Sequence, residues 1–367
     1  MRITQPKTWW GETPKVRRIS LALVALFVFL VLRRALLVVC LGLKILGYTD
    51  ALNAWKGPIR HETVEHAGIP IDIYSGEHAY SPILIVHGLN PTGKDSLDLM
   101  RISEALAQVG YQVFVPDLIE LKRQHLQPEE AGHIKSVFQF IGKDAAIACF
   151  SYGCGPAMIA AADPDIRDHI RFALAFGGYF DIRQTLEFVV TGPESPIAYL
   201  KWVYLGANSD LVADESDRTR LRTIAEHGRN DDVLESDAAE RLSPEAKALL
   251  AVFLASTPED FHARLDAAPA NLQRRLDALS PSRFVERIRA PLILVHGIND
   301  PAIPAQQSIE FAEAARAHGL DQSLTLLRMY GHVNPILPEI GLRNAFSYYL
   351  PETLRFLGVI NHLIAAM

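Results

Sequence analysis

Residues 145–155 read A-A-I-A-C-F-S-Y-G-C-G, an apolar run that ends in a serine and two closely spaced glycines. The run is short and follows turn-forming residues, which is typical of a buried β-strand. Ser151 therefore stands where a predicted strand turns into a predicted helix. Serine in that place is usually a helix N-cap, so the rest of the chain must decide whether Ser151 has a further role.

Outside this stretch, short apolar runs alternate with longer segments of helical periodicity, such as 97–109 and 304–318. The alternation predicts an α/β fold whose mostly parallel central sheet is covered by helices on both faces. The predicted strands are 69–74, 83–87, 112–115, 145–150, 172–175, 292–296 and 324–329.

The alternation stops between residues 182 and 288, where only helical segments such as 244–255 are evident. Ser243 followed by Pro244 predicts the N-terminus of that helix. We interpret 182–288 as a helical cap over the carboxyl edge of the sheet, inserted between the two parts of one core, 60–181 and 289–367.

Three predicted strand ends carry side chains of complementary chemistry. Ser151, Asp300 and His332 each follow a predicted strand, in that order along the chain. Ligands bind at the carboxyl edge of such sheets, so we expect the three side chains to meet there. A histidine that accepts the serine proton, and a carboxylate that orients the histidine, would make the hydroxyl a nucleophile. Asp300-Pro301 alone would be an ordinary turn, but the joint placement favours a triad.

The order Ser, Asp, His and the turns around each residue resemble the α/β-hydrolase fold superfamily over roughly residues 67–360. The turn at 149–153 matches Gly-x-Ser-x-Gly except that Cys149 replaces the first glycine. The resemblance implies that Ser151 is the nucleophile, His332 the base and Asp300 the acid. It also implies an oxyanion hole made by the backbone N–H groups of Leu89 and Tyr152.

Several neighbouring residues receive secondary interpretations. His87 and His296 follow strands in matching His-Gly pairs and are predicted to brace loops. Asp117 and Asp181 are alternative acids near strand ends. Cys149 and Cys154 flank the serine without presenting a thiol in its place, so a cysteine hydrolase is not expected.

The activity that the resemblance implies is hydrolysis of a small-molecule carboxylic ester through an acyl-enzyme, with no metal or organic cofactor. A thioesterase, amidase or peptidase would use the same triad, and a catalytically silent binding protein is an alternative of another class. The apolar stretch 188–205 is predicted to line an apolar acyl pocket, and the membrane anchor described below favours lipid-like esters.

A nucleotide-binding loop is a competing interpretation of residues 88–94. Gly88, Gly93 and Lys94 have the spacing of a phosphate-binding loop, but Asp95 stands where a Mg²⁺-ligating Ser or Thr is required. The motif also leaves Ser151 and His332 unexplained. We therefore expect Lys94 to be a solvated charge on the loop.

The N-terminus is a separate segment. Residues 1–18 are basic, and 19–47 are apolar except for a few positions that include Arg33, Arg34 and Lys44. We interpret 19–47 as an uncleaved membrane anchor, because no small-x-small cleavage site follows the apolar run. Arg33 and Lys44 are eleven residues apart, so they would share a helix face and could snorkel together to the membrane surface. Spanning and interfacial geometries both fit this sequence.

Composition limits the other function classes. The 367 residues carry a net charge of −6 and no basic stripe beyond the N-terminus, which argues against nucleic acid as a partner. Three cysteines provide no disulfide framework. The hydrophobic share of 49% is sufficient for one large core.

Overall fold

The computed structural model describes residues 14–48, 51–142, 144–192, 199–230, 239–336, 338–339 and 341–367. The strands are β1 Arg60–His66, β2 Ile69–Ser75, β3 Ser81–Val86, β4 Tyr111–Pro116, β5 Ala145–Phe150, β6 Ile170–Phe176, β7 Leu292–Gly297 and β8 Gln322–Leu327. The helices up to β6 are α1 Pro14–Ile45, α2 Ala51–Lys56, α3 Leu97–Val109, α4 Ile119–Lys122, α5 Glu130–Ile141 and α6 Cys154–Ala161. The later helices are α7 Ile182–Thr191, α8 Leu200–Ala207, α9 Glu215–Arg229, α10 Pro244–Phe253, α11 Pro258–Asp266, α12 Ala270–Ala278, α13 Gln306–Ala317, α14 Leu342–Asn344 and α15 Leu350–Ala365.

All eight strands form one sheet in the order β1-β2-β4-β3-β5-β6-β7-β8. The pairs β1–β2 and β2–β4 are antiparallel, and every other neighbouring pair is parallel. The predicted mostly parallel sheet is confirmed. Strand β1 was not predicted, because its sequence RHETVEH has one apolar residue, and the strand lies at the sheet edge with most of its side chains exposed.

The two faces of the sheet are covered by different helices. On one face, Leu84 and Val86 of β3 pack in a cluster with side chains of α5, α6 and α13. On the other face, Ile83 and Ile85 of the same strand pack with side chains of α3, α15 and α1. This alternation follows from the two-residue period of a strand, and it places apolar residues against helices on both sides.

Between β6 and β7, the described residues form helices and short turns only. The predicted start of α10 is confirmed, because Ser243 Oγ accepts a hydrogen bond from Ala246 N–H at 3.3 Å and Pro244 follows it. The helical content predicted for 182–288 therefore agrees with the structure. The interpretation of this insertion as a cap domain stays a prediction.

Helix α1 has two halves in different surroundings. Large apolar side chains from Leu21 to Leu32 are exposed, whereas Val38 and Leu41 are buried against the domain. Arg34 Nε donates to Asn361 Oδ1 at 2.8 Å, and Gly42 lies against Phe356 and Leu357. Helix α1 thus runs antiparallel to α15.

Lys44 corrects one expectation. Its side chain is buried, donates to Asn53 Oδ1 at 2.8 Å and lies 3.5 Å from Glu104. It is therefore not free to snorkel to a membrane surface beside Arg33, because its ammonium is held inside the folded domain.

Candidate active site

Ser151 lies in the turn between β5 and α6 with a φ of +55°. A non-glycine residue in this left-handed region is strained, and such strain is concentrated at functional turns. Close packing enforces the turn. A Cβ on Gly153 would lie 2.0 Å from the His87 carbonyl oxygen, and one on Gly88 would lie 2.9 Å from Ser151 Cβ. The hydroxyl caps no helix, and its partner is His332.

Cys149 occupies the position where the hydrolase motif has glycine. Its side chain is fully buried in β5, and Sγ donates to the Leu174 carbonyl oxygen at 3.2 Å. Burial and the neighbouring Cys154 raise the pKa of the Cys149 thiol well above its usual range. The extra Cβ is therefore accommodated without loss of the turn, and the thiol is not activated.

The three predicted triad residues are brought together. His332 Nε2 lies 2.5 Å from Ser151 Oγ, and His332 Nδ1 lies 2.6 Å from Asp300 Oδ2. Each residue follows the carboxyl end of a strand (β5, β7 and β8). With Nδ1–H donating to the carboxylate, Nε2 is free to accept the serine proton.

Asp300 is held as a carboxylate by four hydrogen bonds. Oδ1 accepts from Ala302 N–H at 2.8 Å and Ile303 N–H at 2.9 Å, while Oδ2 accepts from His332. His296 Nε2 lies 3.3 Å from the same Oδ2. Burial opposes the charged form of Asp300, but hydrogen bonds from His296 and His332 outweigh it and lower the pKa of the carboxyl group.

His296 braces the loop after β7, as the sequence predicted, but its contact with Asp300 was not found from the sequence. Its Nε2 lies 2.9 Å from the Ile303 carbonyl oxygen, which can only accept, so Nε2 carries the hydrogen. Nδ1 then accepts from Ser308 Oγ at 2.6 Å. The predicted bracing histidine thus supports the acid directly.

A strained serine between a strand and a helix, followed along the chain by an acid and a histidine hydrogen-bonded to it, is the arrangement of one fold. The chain has the α/β-hydrolase fold.

Comparisons with solved structures find hydrolases of similar structure whose sequences are only distantly similar to this chain. An acylaminoacyl peptidase of Pyrococcus horikoshii is 15% identical with a TM-score of 0.43, and the match covers 75% of this chain and 37% of that one. Est1E of Butyrivibrio proteoclasticus is 16% identical with a TM-score of 0.47, covering 83% and 98%. A meta-cleavage product hydrolase of Pseudomonas fluorescens IP01 is 16% identical with a TM-score of 0.45, covering 83% and 98%. No protein-family model and no curated protein matches the sequence.

These likenesses are too distant to carry an argument about activity. The chain spans little more than a third of the length of the peptidase. The assignment of the hydrolase fold depends instead on the turn at Ser151 and on the residues that meet it.

The predicted oxyanion donors, Leu89 and Tyr152, lie on the two loops that meet at the nucleophile. Within the described residues, neither backbone N–H donates to another group of the chain. His87 braces the first loop, because its Nδ1 lies 2.8 Å from the Gly88 carbonyl oxygen and its Nε2 accepts from Leu118 N–H at 3.2 Å. Mainly through burial, the pKa of His87 is lowered, which keeps the ring neutral.

Lys94 is not the solvated charge that the sequence suggested. Its side chain is 14% exposed, and Nζ lies 3.1 Å from Asp72 Oδ2 and 2.8 Å from Asp95 Oδ1. Asp72 is buried in β2, so the lysine neutralises an internal carboxylate. A lysine held in this way is not available to a nucleotide, and the phosphate-loop interpretation loses its main residue.

The two alternative acids have other partners. Asp117 Oδ2 accepts from Lys122 Nζ at 2.8 Å. Asp181 caps α7, accepting from Arg183 N–H at 2.8 Å and from Ser282 Oγ at 2.9 Å. Neither is within hydrogen-bonding distance of His332 in the structure.

An apolar cavity of about 500 Å³ opens at Ser151 and His332; we call it the core cavity. Its walls come from β3, β5 and β6 and from α3, α15 and the end of α1. Of the stretch 188–205, where the sequence predicted an acyl pocket, only Tyr199 lines it among the described residues, and 193–198 lie outside them. The described walls of the apolar space at the nucleophile therefore lie mainly beside the sheet.

Proposed function

We propose that this protein is a serine hydrolase that cleaves carboxylic esters through an acyl-enzyme. The observation that carries the proposal is the continuous chain from Ser151 Oγ to His332 Nε2 at 2.5 Å and from His332 Nδ1 to Asp300 Oδ2 at 2.6 Å. A serine hydroxyl bonded to an oriented histidine is the requirement for nucleophilic attack at neutral pH.

The reaction follows from these contacts. Ser151 Oγ attacks the ester carbonyl carbon while His332 Nε2 takes the hydroxyl proton, and the oxyanion is stabilised by the N–H groups of Leu89 and Tyr152. The tetrahedral intermediate collapses, and His332 gives its proton to the leaving alcohol. Water then attacks the acyl-serine with His332 as base, releasing the acid and restoring the hydroxyl. Asp300 stays ionised and stabilises the imidazolium in each step.

Thioesters, amides and peptides would react through the same steps, so we infer the type of bond that is cleaved from the surroundings of Ser151. The apolar core cavity beside Ser151 suits an acyl group without polar atoms, because an unpaired polar group buried there would cost free energy. This consideration disfavours a peptide substrate and favours an ester or thioester.

A fluorophosphonate probe tests the proposal, since it reacts with an activated serine. We expect the full chain to be labelled, Ser151→Ala to be unlabelled, and Ser347→Ala, which changes an exposed serine, to be labelled like the wild type. A folded wild-type protein that is neither labelled nor able to hydrolyse p-nitrophenyl butyrate would instead support a silent binding protein.

We also propose that α1 attaches the protein to a membrane. Residues Ser20–Ile45 are long and apolar enough to span, and 6% of their most apolar window is buried inside the protein. The far end of α1, with Val38 and Leu41, belongs to the folded core, which argues against a cleaved signal sequence. Release of the full-length protein by carbonate or high-salt washing of membranes would contradict the attachment.

A further inference from the structure

The core cavity extends into the interior of the domain along one face of the sheet. Its sheet wall is made by Ile83, Ile85, Ala148 and Leu174, all of which belong to the face covered by α3, α15 and α1. Ile83 is five residues before Gly88, and a strand rises ~3.3 Å per residue, so the cavity reaches roughly 17 Å from the mouth. Such a depth is much greater than an acetyl or butyryl group needs.

The opposite wall is an apolar stripe from each of two helices. Leu99, Ile102 and Leu106 lie at helical spacing on α3, as do Phe356 and Leu363 on α15. Polar lining residues such as Asp98 and Arg101, which pair at 3.2 Å, come from the first turns of α3, next to the mouth. A ligand that fits this space has a polar end at Ser151 and a long apolar end.

The last turn of α1 completes the enclosure. Ile45 and Leu46 line the core cavity, and the adjacent Gly47 lies against the Arg101 side chain. Helix α1 is thus wedged beside α3 and α15, and its end forms part of the wall that separates the cavity from solvent.

The mouth also has apolar surroundings. Leu97, between the lining residues Ser96 and Asp98, is 77% exposed, and Ile336, after the lining residue Pro335, is 59% exposed. Exposed apolar side chains next to an apolar pocket are a feature of surfaces that meet amphiphiles.

We propose that the core cavity holds the acyl chain of a long-chain ester and that the end of α1 forms one side of this cavity, so that a larger side chain there shortens the chain accepted. This inference rests on the proposed hydrolase function for the reaction at Ser151, and it adds the substrate class and a second role for α1. Each methylene moved from water into the cavity should raise kcat/KM about fourfold, until the cavity is filled.

The test compares p-nitrophenyl butyrate, octanoate, dodecanoate and palmitate with the full chain in one detergent. We expect kcat/KM to rise steeply from butyrate to dodecanoate. In Leu46→Trp the larger side chain should fill part of the cavity and lower kcat/KM for dodecanoate at least about tenfold, while butyrate changes by less than about threefold. The matched control is Leu43→Trp, an exposed position three residues earlier on α1, which should keep the wild-type profile.

A second pair of variants tests the inference independently of α1. Ile102→Trp changes a lining residue of α3 and should shorten the preferred chain, whereas Leu354→Trp changes an exposed residue of α15 outside the cavity lining and should not. A flat chain-length profile in the wild type, or equal effects of lining and exposed variants, would overturn the inference.

A binding experiment separates this inference from the proposed function. Fluorescent cis-parinarate should bind Ser151→Ala, and dodecanoate should displace it more strongly than butyrate does. Displacement without any ester hydrolysis by the wild type would contradict the proposed hydrolase function but support the acyl-binding cavity. Hydrolysis of p-nitrophenyl butyrate without parinarate binding would support the hydrolase function but contradict the acyl-binding cavity.

Discussion

His87 is expected to act on the reaction without touching the substrate. Its Nδ1–H donates to the Gly88 carbonyl oxygen at 2.8 Å, and its Nε2 accepts from Leu118 N–H at 3.2 Å. The Gly88 carbonyl and the Leu89 N–H belong to one planar trans peptide, so they point in opposite directions. Holding the carbonyl therefore aims the proposed oxyanion donor.

Two substitutions separate the two ring nitrogens. The amide of His87→Asn lies near the position of Nδ1 and can still donate to the Gly88 carbonyl, whereas that of His87→Gln lies near Nε2 and can still accept from Leu118 N–H. One hydrogen bond contributes about 0.5–1.5 kcal/mol net, and ~1.4 kcal/mol is tenfold in rate. We expect His87→Gln to lower kcat up to about tenfold and His87→Asn about twofold. Complete loss of the Leu89 donor would lower kcat by ~10²–10³, and this is the largest effect that a His87 variant could have through that donor.

The assay is steady-state hydrolysis of p-nitrophenyl butyrate, with the denaturation midpoint of each variant measured in parallel. Both variants should lose stability, because each leaves one buried partner of His87 unpaired. The comparison of kcat between them is therefore the informative one. A kcat for His87→Gln equal to or above that of His87→Asn would refute the aiming role and leave only a brace between loops.

Three further predictions follow from the contacts. Asp300→Asn should lower kcat by roughly 10⁴, since His332 would lose its required tautomer; near-normal turnover would exclude Asp300 as the acid. Lys94→Ala should cost about 1–3 kcal/mol in the free energy of unfolding, because buried Asp72 loses a partner, with kcat little changed; tight nucleotide binding by the wild type, lost in this variant, would revive the phosphate loop. The lowered pKa of His87 means that the unfolded chain binds the proton first on acidification. The contribution of His87 to stability is complete above the ordinary pKa of about 6.5 and is lost as pH falls below it. In His87→Asn, the denaturation midpoint should therefore depend less on pH in that range than it does in the wild type.

The sheet and the meeting of Ser151, Asp300 and His332 were predictable because buried parallel strands are continuous apolar runs, and the turns at their carboxyl ends carry a recognisable chemical pattern. The same rule fails for β1, Arg60–His66, which has a partner on one side only and little apolar surface to bury. The position of β1 is set by seven backbone pairs with β2. Backbone pairing does not require a particular pattern of side chains, so it cannot be predicted from the sequence pattern.

Most of the walls of the core cavity were not predicted from the sequence. The stretch 188–205 is apolar, but apolar composition does not distinguish side chains that fill space from side chains that surround it. The space beside β5 depends on tertiary geometry, since small Ala148 faces helices whose distance from the sheet is set elsewhere. Lys94 was misjudged for a similar reason, because its partner Asp72 is 22 residues away in sequence.

The structure also changes the energetic argument about the proposed membrane segment. If 19–47 spanned as one unit, Arg33 and Arg34 would lie near mid-membrane at roughly 2.5–3.5 kcal/mol each. Instead Arg34 is bonded to Asn361 at the domain surface, and the residues after it pack on α3 and α15. The proposed membrane segment then ends at residue 32, and its 14 residues from 19, apolar except for Ser20, span ~21 Å of a ~30 Å core.

A shortfall of ~9 Å costs fractions of a kcal/mol per Å through bilayer thinning and snorkelling of flanking basic side chains. That total is no larger than the cost of two arginines in hydrocarbon, so the short segment is at least as favourable a way to span. It also leaves the end of α1 free to serve the domain. In the proposed arrangement, the boundary between the membrane segment and the folded domain falls at Arg33-Arg34, inside one continuous helix, and Ile45 and Leu46 at the end of that helix line the core cavity.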